Sequence, residues 1–177
     1  MNMAKGEDLM GNNSSNNNSR NMINKMVAIS EKNQLTKILK QNELTAKFGL
    51  TLTEEQALEI LQCRRMNLKE EQRIEFREGV IDKLIFAFCD SPYIYQANYA
   101  ETIEALQELF YIYKNECYDE ITDDELIEFM RVHFNGDCQG SIDFLEESCL
   151  DMLSRDIRSV MDDVTVDWRS KYEEEDI

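Results

Sequence analysis

A chain of 177 residues, of which 42% are hydrophobic, has the size of one domain with one hydrophobic core. Residues 1–50 hold 4 acidic and 7 basic residues, so the other 32 acidic and 12 basic residues give residues 51–177 a net charge of −20 within the total of −17. A surface this negative repels nucleic-acid backbone and anionic lipid, so neither direct nucleic-acid binding nor membrane binding is expected.

The cysteines indicate a reducing compartment. They are odd in number, widely spaced and without a C-x-x-C pair, which argues against a disulfide framework and a zinc knuckle. These residues are Cys63, Cys89, Cys117, Cys138 and Cys149. The longest strongly apolar run, Leu84–Cys89, is far too short to span a membrane, and no secretion signal precedes it. We therefore expect a cytoplasmic protein.

Three regions are predicted along the chain. Residues 1–25 are crowded with Asn, Ser and Gly and have too little apolar surface to offset the entropy of ordering, so they are predicted to form a disordered leader. Residues 26–161 are predicted to form the helical domain, and residues 162–177 an acidic C-terminal tail.

Helical spacing of apolar residues begins near Asn33 and ends at Gly49, a suitable C-terminal cap. The next helix starts at Thr53, which forms a capping box with Gln56. Its apolar stripe is predicted to contain Ala57, Leu58, Leu61 and Leu68. Between Asn67 and Gly79 the pattern weakens, and Ile74 alternating with Phe76 suggests a short extended piece.

The second half of the domain repeats these signals. Val80 begins a helix that ends before Pro92, and Asn98 with Glu101 is predicted to cap a long central helix. Thr122–Glu125 is another capping box, and its helix ends at Asn135-Gly136. Ser141 is predicted to cap a last helix with an interruption near Ser148. With few turn residues and little alternation, the chain is predicted to be all-α, a single bundle of five to seven helices.

One connection resembles an EF-hand calcium loop. Residues 135–146 place oxygen ligands at Asn135, Asp137 and Asp143, a glycine at the sixth position, and Glu146 at the twelfth. The first position has Asn where EF-hands have Asp, and the fifth has neutral Gln139, so two early carboxylates are missing. The alternative is a plain helix–turn–helix connection, which we favour over a calcium site.

Other chemistry has weaker support. His133 is the single histidine, so a di-iron carboxylate site with two Glu-x-x-His pairs is excluded. A Cys–His pair of His133 with Cys117 or Cys138 lacks an accompanying catalytic loop. No glycine-rich phosphate loop is present. We predict neither catalytic nor cofactor-binding residues.

Aromatic residues indicate a possible contact surface. Tyrosines on the connection after Pro92 would present flat apolar area with a polar tip, which suits a protein interface, although packing within the domain is the more common outcome. Trp168 in the acidic tail has the same two readings. The candidate partner-binding residues are Tyr93, Tyr95, Tyr99 and Trp168.

Two stretches, 84–102 and 134–141, carry a resemblance to a known family. They read LIFAFCDSPYI, followed by NYAET, and FNGDCQGS. The chain from about residue 53 to 157 resembles an uncharacterised family of small acidic bacterial helical proteins, a domain of unknown function. The resemblance implies a cytoplasmic helical protein with no assigned activity, and it supplies no functional residues.

Three functions remain open. The first is a non-enzymatic interaction protein with an acidic surface and an unidentified protein partner. The second is a degenerate single EF-hand-like calcium-binding protein. The third is an acidic mimic of a nucleic-acid backbone, which requires carboxylates in rows that the arginines Arg64, Arg65, Arg73 and Arg77 do not interrupt.

Overall fold

Helices form all the regular structure in the computed structural model, which describes residues 13–75, 79–161 and 169. Those residues contain no strand and six helices of nine or more residues, which confirms the predicted all-α fold. The elements are α1 (Asn13–Lys40), α2 (Asn42–Thr45) with a 3₁₀ turn (Ala46–Phe48), α3 (Glu54–Glu70), α4 (Val80–Phe88), α5 (Tyr99–Glu116), α6 (Asp123–Asn135), α7 (Ile142–Phe144), a π-helix (Leu145–Leu150) and α8 (Asp151–Met161).

The long helix α5 lies at the centre of the core, as its apolar face predicts. It packs against α3, α4, α6 and α7. Ile103, Leu106 and Phe110 are almost completely buried on it. The C-terminal part of α1 packs on α3 through Ile38 and the partly buried Leu35.

Both predicted capping boxes are present. Thr53 accepts a hydrogen bond from the Gln56 N–H while the Gln56 side chain accepts from the Thr53 N–H, and Thr122 and Glu125 repeat this exchange. Each box satisfies two backbone donors that the first helical turn leaves without partners. Gly49 ends the 3₁₀ turn with φ +77°, the left-handed conformation that favours glycine.

The predicted cap at Asn98 is wrong. Asn98 precedes α5, but its side chain makes no capping hydrogen bond. Its Oδ1 instead accepts from the Tyr95 N–H at 2.9 Å, and its Nδ2 donates to the Tyr93 carbonyl at 3.1 Å. Asparagine side chains often bond to nearby backbone in turns, and here that bonding closes the connection before the helix.

The leader also differs from its prediction. Residues 13–25, predicted to be disordered, belong to α1, while residues 1–12 lie outside the described residues. Residues 19–33 are all exposed, so packing does not hold this part of the helix. Once the packed C-terminal part of α1 has formed, each further residue adds one backbone hydrogen bond, so the helix can extend towards its N-terminus through a polar segment.

The apolar stripe of α3 is rotated from its prediction. Leu58 is 48% exposed, whereas Ile60 is fully buried beside Ala57 and Leu61. The stripe also buries Arg64 and Asn67, which are polar. Residues 73–75 after α3 form no strand, Ile74 is exposed, and Phe76 lies outside the described residues.

The last helical stretch is irregular where a break is predicted. Ser141 caps α7 by accepting from the Phe144 N–H at 3.2 Å. The following turns widen into the π-helix, which contains Ser148, before α8 resumes the ordinary spacing. Within the part of the chain that the structure describes, no helix is both long and apolar enough to cross a lipid bilayer.

Candidate functional site

A groove lies where the 3₁₀ turn, α4 and α6 meet. It has a volume of about 520 Å³. Phe48 is 44% exposed and Phe86 is 68% exposed at its walls, so both rings are open to solvent. The buried residues Cys89 and Ile127 form part of its lining. We call this site the Phe48–Phe86 groove.

Helix α4 explains why Phe86 is exposed. Leu84, Ile85 and Phe88 are completely buried and fix the orientation of the helix against α5 and α6. Phe86 falls between these positions and so projects from the opposite side of the helix. Phe86 is therefore an aromatic residue of α4 that does not belong to the core.

Charged side chains of both signs line the rim of the groove. Lys83 donates to Asp124 at 2.7 Å, and this hydrogen bond raises the pKa of Lys83. Arg131 donates to Glu128 at 2.6 Å, and this hydrogen bond lowers the pKa of Glu128. The Lys47 ammonium lies 4.9 Å from the centre of the Phe48 ring, within the range of a cation–π contact.

The tyrosines predicted to bind a partner separate into two groups. Tyr95 is 61% exposed and available, whereas Tyr99 is only 1% exposed in the core. Burial raises the pKa of Tyr99 to about 12. Tyr93 is half-buried, with its ring edge-on to Phe134 at 6.4 Å. Tyr99 is therefore wrong as a contact residue, and Trp168 lies outside the described residues.

The loop that resembles an EF-hand is a helix connection. The N–H groups of Cys138 and Gly140 donate to the His133 and Phe134 carbonyls and so close the end of α6. The Asn135 side chain accepts from the Ser91 hydroxyl at 2.5 Å, which ties it to the tyrosine connection. These bonds match the helix–turn–helix alternative of the sequence analysis.

The acidic residues of that loop do not gather around a point. Among residues 13–75, 79–161 and 169, no group of three or more His, Cys, Asp or Glu side chains is placed to hold a metal ion. Asp137, Asp143 and Glu146 therefore do not form the ligand set that their spacing suggests.

Gly140 joins this loop to the tyrosine connection. Its φ is +82°, and a Cβ atom at this position would lie 2.4 Å from the Tyr93 Cβ. Both the left-handed backbone and the close approach require glycine. The contact explains why Tyr93 is held against Phe134 and is not free at the surface.

Two of the buried thiols, those of Cys117 and Cys138, are poorly suited to nucleophilic chemistry. Burial raises the pKa of Cys117 to about 11 and that of Cys138 to about 12. Cys138 packs against Cys149, with 3.5 Å between the two sulfur atoms. His133 lies against the ring of Phe129, with 4.2 Å between ring centres. Because the reactive form of cysteine is the thiolate, a raised pKa opposes nucleophilic catalysis at neutral pH.

A buried ion pair that the sequence does not predict joins α3 to the segment before α4. Arg64, on the core side of α3, donates to Glu75 at 2.5 Å. Glu75 also accepts from the Tyr111 hydroxyl at 3.0 Å and from the Val80 N–H at 2.9 Å. An arginine within the apolar stripe of α3 indicates that a buried partner is needed. That partner, Glu75, cannot be identified from the sequence because it lies eleven residues later in an irregular segment. The pair fixes that segment between α3, α4 and α5.

A second groove lies between α3 and α5, and we call it the α3–α5 groove. Its volume is about 670 Å³, and none of its lining residues is basic. Burial, followed by the nearby charges of Glu59 and Glu101, raises the pKa of Glu104 in its wall. The lining residues are Glu59, Gln62, Cys63, Met66, Asn67, Glu70, Glu104 and Glu108.

Arginines interrupt the acidic surface elsewhere. Arg65 pairs with Glu31, and Arg73 donates to Asp119 at 2.7 Å. With Arg64 engaged by Glu75, three of the four arginines named in the sequence analysis pair with carboxylates, and Arg77 lies outside the described residues. This distribution argues against the continuous carboxylate rows that a nucleic-acid mimic requires.

Comparison with known proteins identifies a family. The family model described as a family of unknown function (DUF6323) matches residues 37–163, which is more than half of the chain. The matched region includes all of the predicted resemblance over residues 53–157. No curated protein and no solved structure matched the chain. This chain belongs to the family of unknown function DUF6323.

Proposed function

We propose that this protein is a non-enzymatic interaction protein that binds a segment of another protein in the Phe48–Phe86 groove. The observation that carries the proposal is the exposure of two phenylalanines, 44% and 68%, on the walls of one groove. A groove walled by exposed aromatic rings is suited to large apolar side chains of a partner, because such anchors supply much of the energy of protein interfaces.

The rim defines the charge of the partner segment. Three basic and three acidic side chains line the groove, so it is locally balanced although the chain carries −17. These side chains are Lys47, Lys83, Arg131, Asp90, Asp124 and Glu128. A partner segment without a strong net charge fits this rim. The apolar anchors then provide the affinity and the charged rim provides orientation.

Support for a role without catalysis comes from the reactive groups. The raised pKa values of Cys117 and Cys138 keep both thiols protonated at neutral pH. The His133 ring packs against the ring of Phe129, with 4.2 Å between the ring centres.

The test compares two exposed apolar residues on different helices. Phe86→Glu places a charge in the groove, whereas Leu58→Glu places the same charge on α3, outside the groove lining. Tagged full-length chains are incubated with lysate of the source cells at low salt, and bound proteins are identified by mass spectrometry. We expect one stoichiometric partner with the parent chain and Leu58→Glu, and its loss with Phe86→Glu.

Equal capture by all three chains would overturn the proposal, and so would the absence of any stoichiometric partner. Circular dichroism of each variant confirms that the helical fold is retained before the comparison is made.

A further inference from the structure

The N-terminal part of α1 carries a second exposed apolar surface. Each of five large side chains is more than half exposed. They are Met22, Ile23, Met26, Val27 and Ile29. At 100° per residue these positions share an arc of about 160° on one side of the helix. We call this surface the α1 stripe. Single exposed apolar residues are ordinary, whereas a contiguous patch of this kind marks a binding surface.

The α1 stripe points away from the body of its own chain. Leu35, Ile38 and Leu39 pack α1 onto the core. In a regular helix their common direction differs from that of the α1 stripe by roughly 160°. The contacts that hold the helix therefore do not bury the stripe, which stays accessible to another molecule.

The charge of α1 indicates what kind of surface would bind the α1 stripe. Helix α1 contains five basic residues and one acidic residue, a net charge of +4 in a chain of net charge −17. Arg20 and Lys25 flank the α1 stripe on its two edges by the same helical count. A matching surface needs apolar side chains between carboxylates.

The α3–α5 groove has that composition. Met66 is 53% exposed on its floor, and its walls carry Glu59 and Glu70 from α3 with Glu104 and Glu108 from α5. The groove and α1 lie on nearly opposite sides of α3, because α1 contacts α3 through Arg64 and Arg65. The α1 stripe therefore cannot reach the groove of its own chain.

We propose that the α1 stripe of one copy docks into the α3–α5 groove of a second copy. The contact is heterologous, since two different surfaces meet. Pairing of two α1 stripes is the competing arrangement, but it brings together two helices of net charge +4. Attraction between a basic helix and an acidic groove favours the arrangement proposed here.

The experiment measures self-association of the full chain by sedimentation velocity over a range of concentrations. At about 10 mM salt, where charges act over about 30 Å, we expect concentration-dependent association. It should weaken at about 1 M salt, where the screening length falls to about 3 Å. Met26→Glu should weaken it at least about tenfold. Val132→Glu is the control, because Val132 is similarly exposed on α6 but lies in neither surface.

A charge exchange separates the proposed contact from its competitor. The variant Arg20→Glu with Lys25→Glu gives residues 19–30, which carry the α1 stripe, a net charge of −2 in place of +2. The variant Glu59→Lys with Glu70→Lys and Glu108→Lys gives the lining of the groove a net charge of +2 in place of −4. Each alone should remain monomeric, because its stripe segment and its groove carry charge of the same sign. An equimolar mixture should associate, since the stripe segment of each variant then meets a groove of opposite charge in the other.

Three results would overturn the proposal. They are a parent chain that stays monomeric at low salt, association that Met26→Glu leaves unchanged, and stronger association of Arg20→Glu with Lys25→Glu, which would indicate pairing of two α1 stripes. Phe86→Glu should leave self-association unchanged, so this proposal and the proposed function fail independently.

Discussion

Arg64 and Glu75 show how two charged side chains can be accommodated near the core. Their side chains are 11% and 16% exposed, and Tyr111 and the Val80 N–H supply further hydrogen bonds to the carboxylate. Burial of an ion pair costs solvation of both charges, and loss of one partner leaves the other charge buried alone. The pair therefore stabilises the fold only as a unit.

Replacement of one partner should be far more harmful than replacement of both. Arg64→Met is expected to lower the free energy of unfolding by about 3–5 kcal/mol, because Glu75 remains charged and buried. Adding Glu75→Gln should restore much of that loss. Arg65→Met, which breaks the exposed pair with Glu31, should cost less than about 1 kcal/mol.

Urea denaturation measures the free energy of unfolding of the parent chain and of four variants, which are Arg64→Met, Glu75→Gln, the double variant and Arg65→Met. The parent chain, Arg64→Met, Glu75→Gln and their combination form a double-mutant cycle. Additive effects of Arg64→Met and Glu75→Gln would show that the two side chains act independently and would contradict this account.

Residue-level prediction succeeds where partners are close in sequence. The pairs Thr53 with Gln56 and Thr122 with Glu125 are both predicted correctly because their partners lie only three positions apart in the sequence. Glu75 is missed because its partners come from α3, α4 and α5, which only the folded chain brings together. The same limit explains the wrong prediction for Tyr99, because its burial depends on how α5 is rotated in the folded chain.

At the scale of single elements, the caps define where helices begin. A capping box satisfies backbone donors that have no partner inside the helix. Loss of the box therefore destabilises the first turn of the helix. Helices α3 and α6 both begin this way, and both pack on neighbouring helices of the core.

Removal of either capping hydroxyl should therefore be measurable. Thr53→Ala and Thr122→Ala are each expected to lower the free energy of unfolding by about 1 kcal/mol. Thr51→Ala is the matched control, because Thr51 is exposed and its contacts to Gln96 use backbone atoms. Its effect should stay within about 0.5 kcal/mol. Thermal and urea unfolding provide the measurement, and an equal loss for all three variants would contradict the capping role.

Element-level prediction recovers five of the long helices from caps and spacing, and it also locates the irregular turn that becomes the π-helix. It fails for the N-terminal part of α1. Composition indicates how much apolar surface a segment can bury. Residues 19–33 are all exposed, yet their backbone continues a helix whose C-terminal part is packed on the core. Local hydrogen bonding, which composition does not report, decides that case.

For the whole molecule, acidic side chains outnumber basic ones by 36 to 19, so each lysine or arginine that pairs with a carboxylate reduces repulsion between negative charges. Arg169 donates to Glu125 at 2.9 Å, at the N-terminal end of α6. This hydrogen bond, together with the Thr122 N–H, lowers the pKa of Glu125 to about 2. The charged form of Glu125 is thus favoured by folding.

The sign of the pH dependence follows from that shift. A carboxyl with a lowered pKa adds stability above its unfolded pKa and loses it as the pH falls towards its folded pKa. The difference in free energy of unfolding between the parent chain and Glu125→Gln should be largest above about pH 5, fall as the pH decreases, and be lost only below about pH 2. Urea denaturation at several pH values measures it. A difference that is constant with pH would contradict the role of the Arg169 contact.

The family match begins at residue 37, so the α1 stripe lies outside the matched region, whereas both grooves lie inside it. Self-association through α1 is accordingly a proposal for this chain, and partner binding in the Phe48–Phe86 groove is one that other family members can test.

The contact of Gly140 with Tyr93 couples two connections that are far apart in sequence. A larger residue at position 140 would displace the Tyr93 ring from Phe134, and the Asn135–Ser91 hydrogen bond joins the same two connections a second time. The end of α6 and the approach to α5 therefore behave as one mechanical unit. A substitution that distorts either connection is therefore expected to disturb both helices.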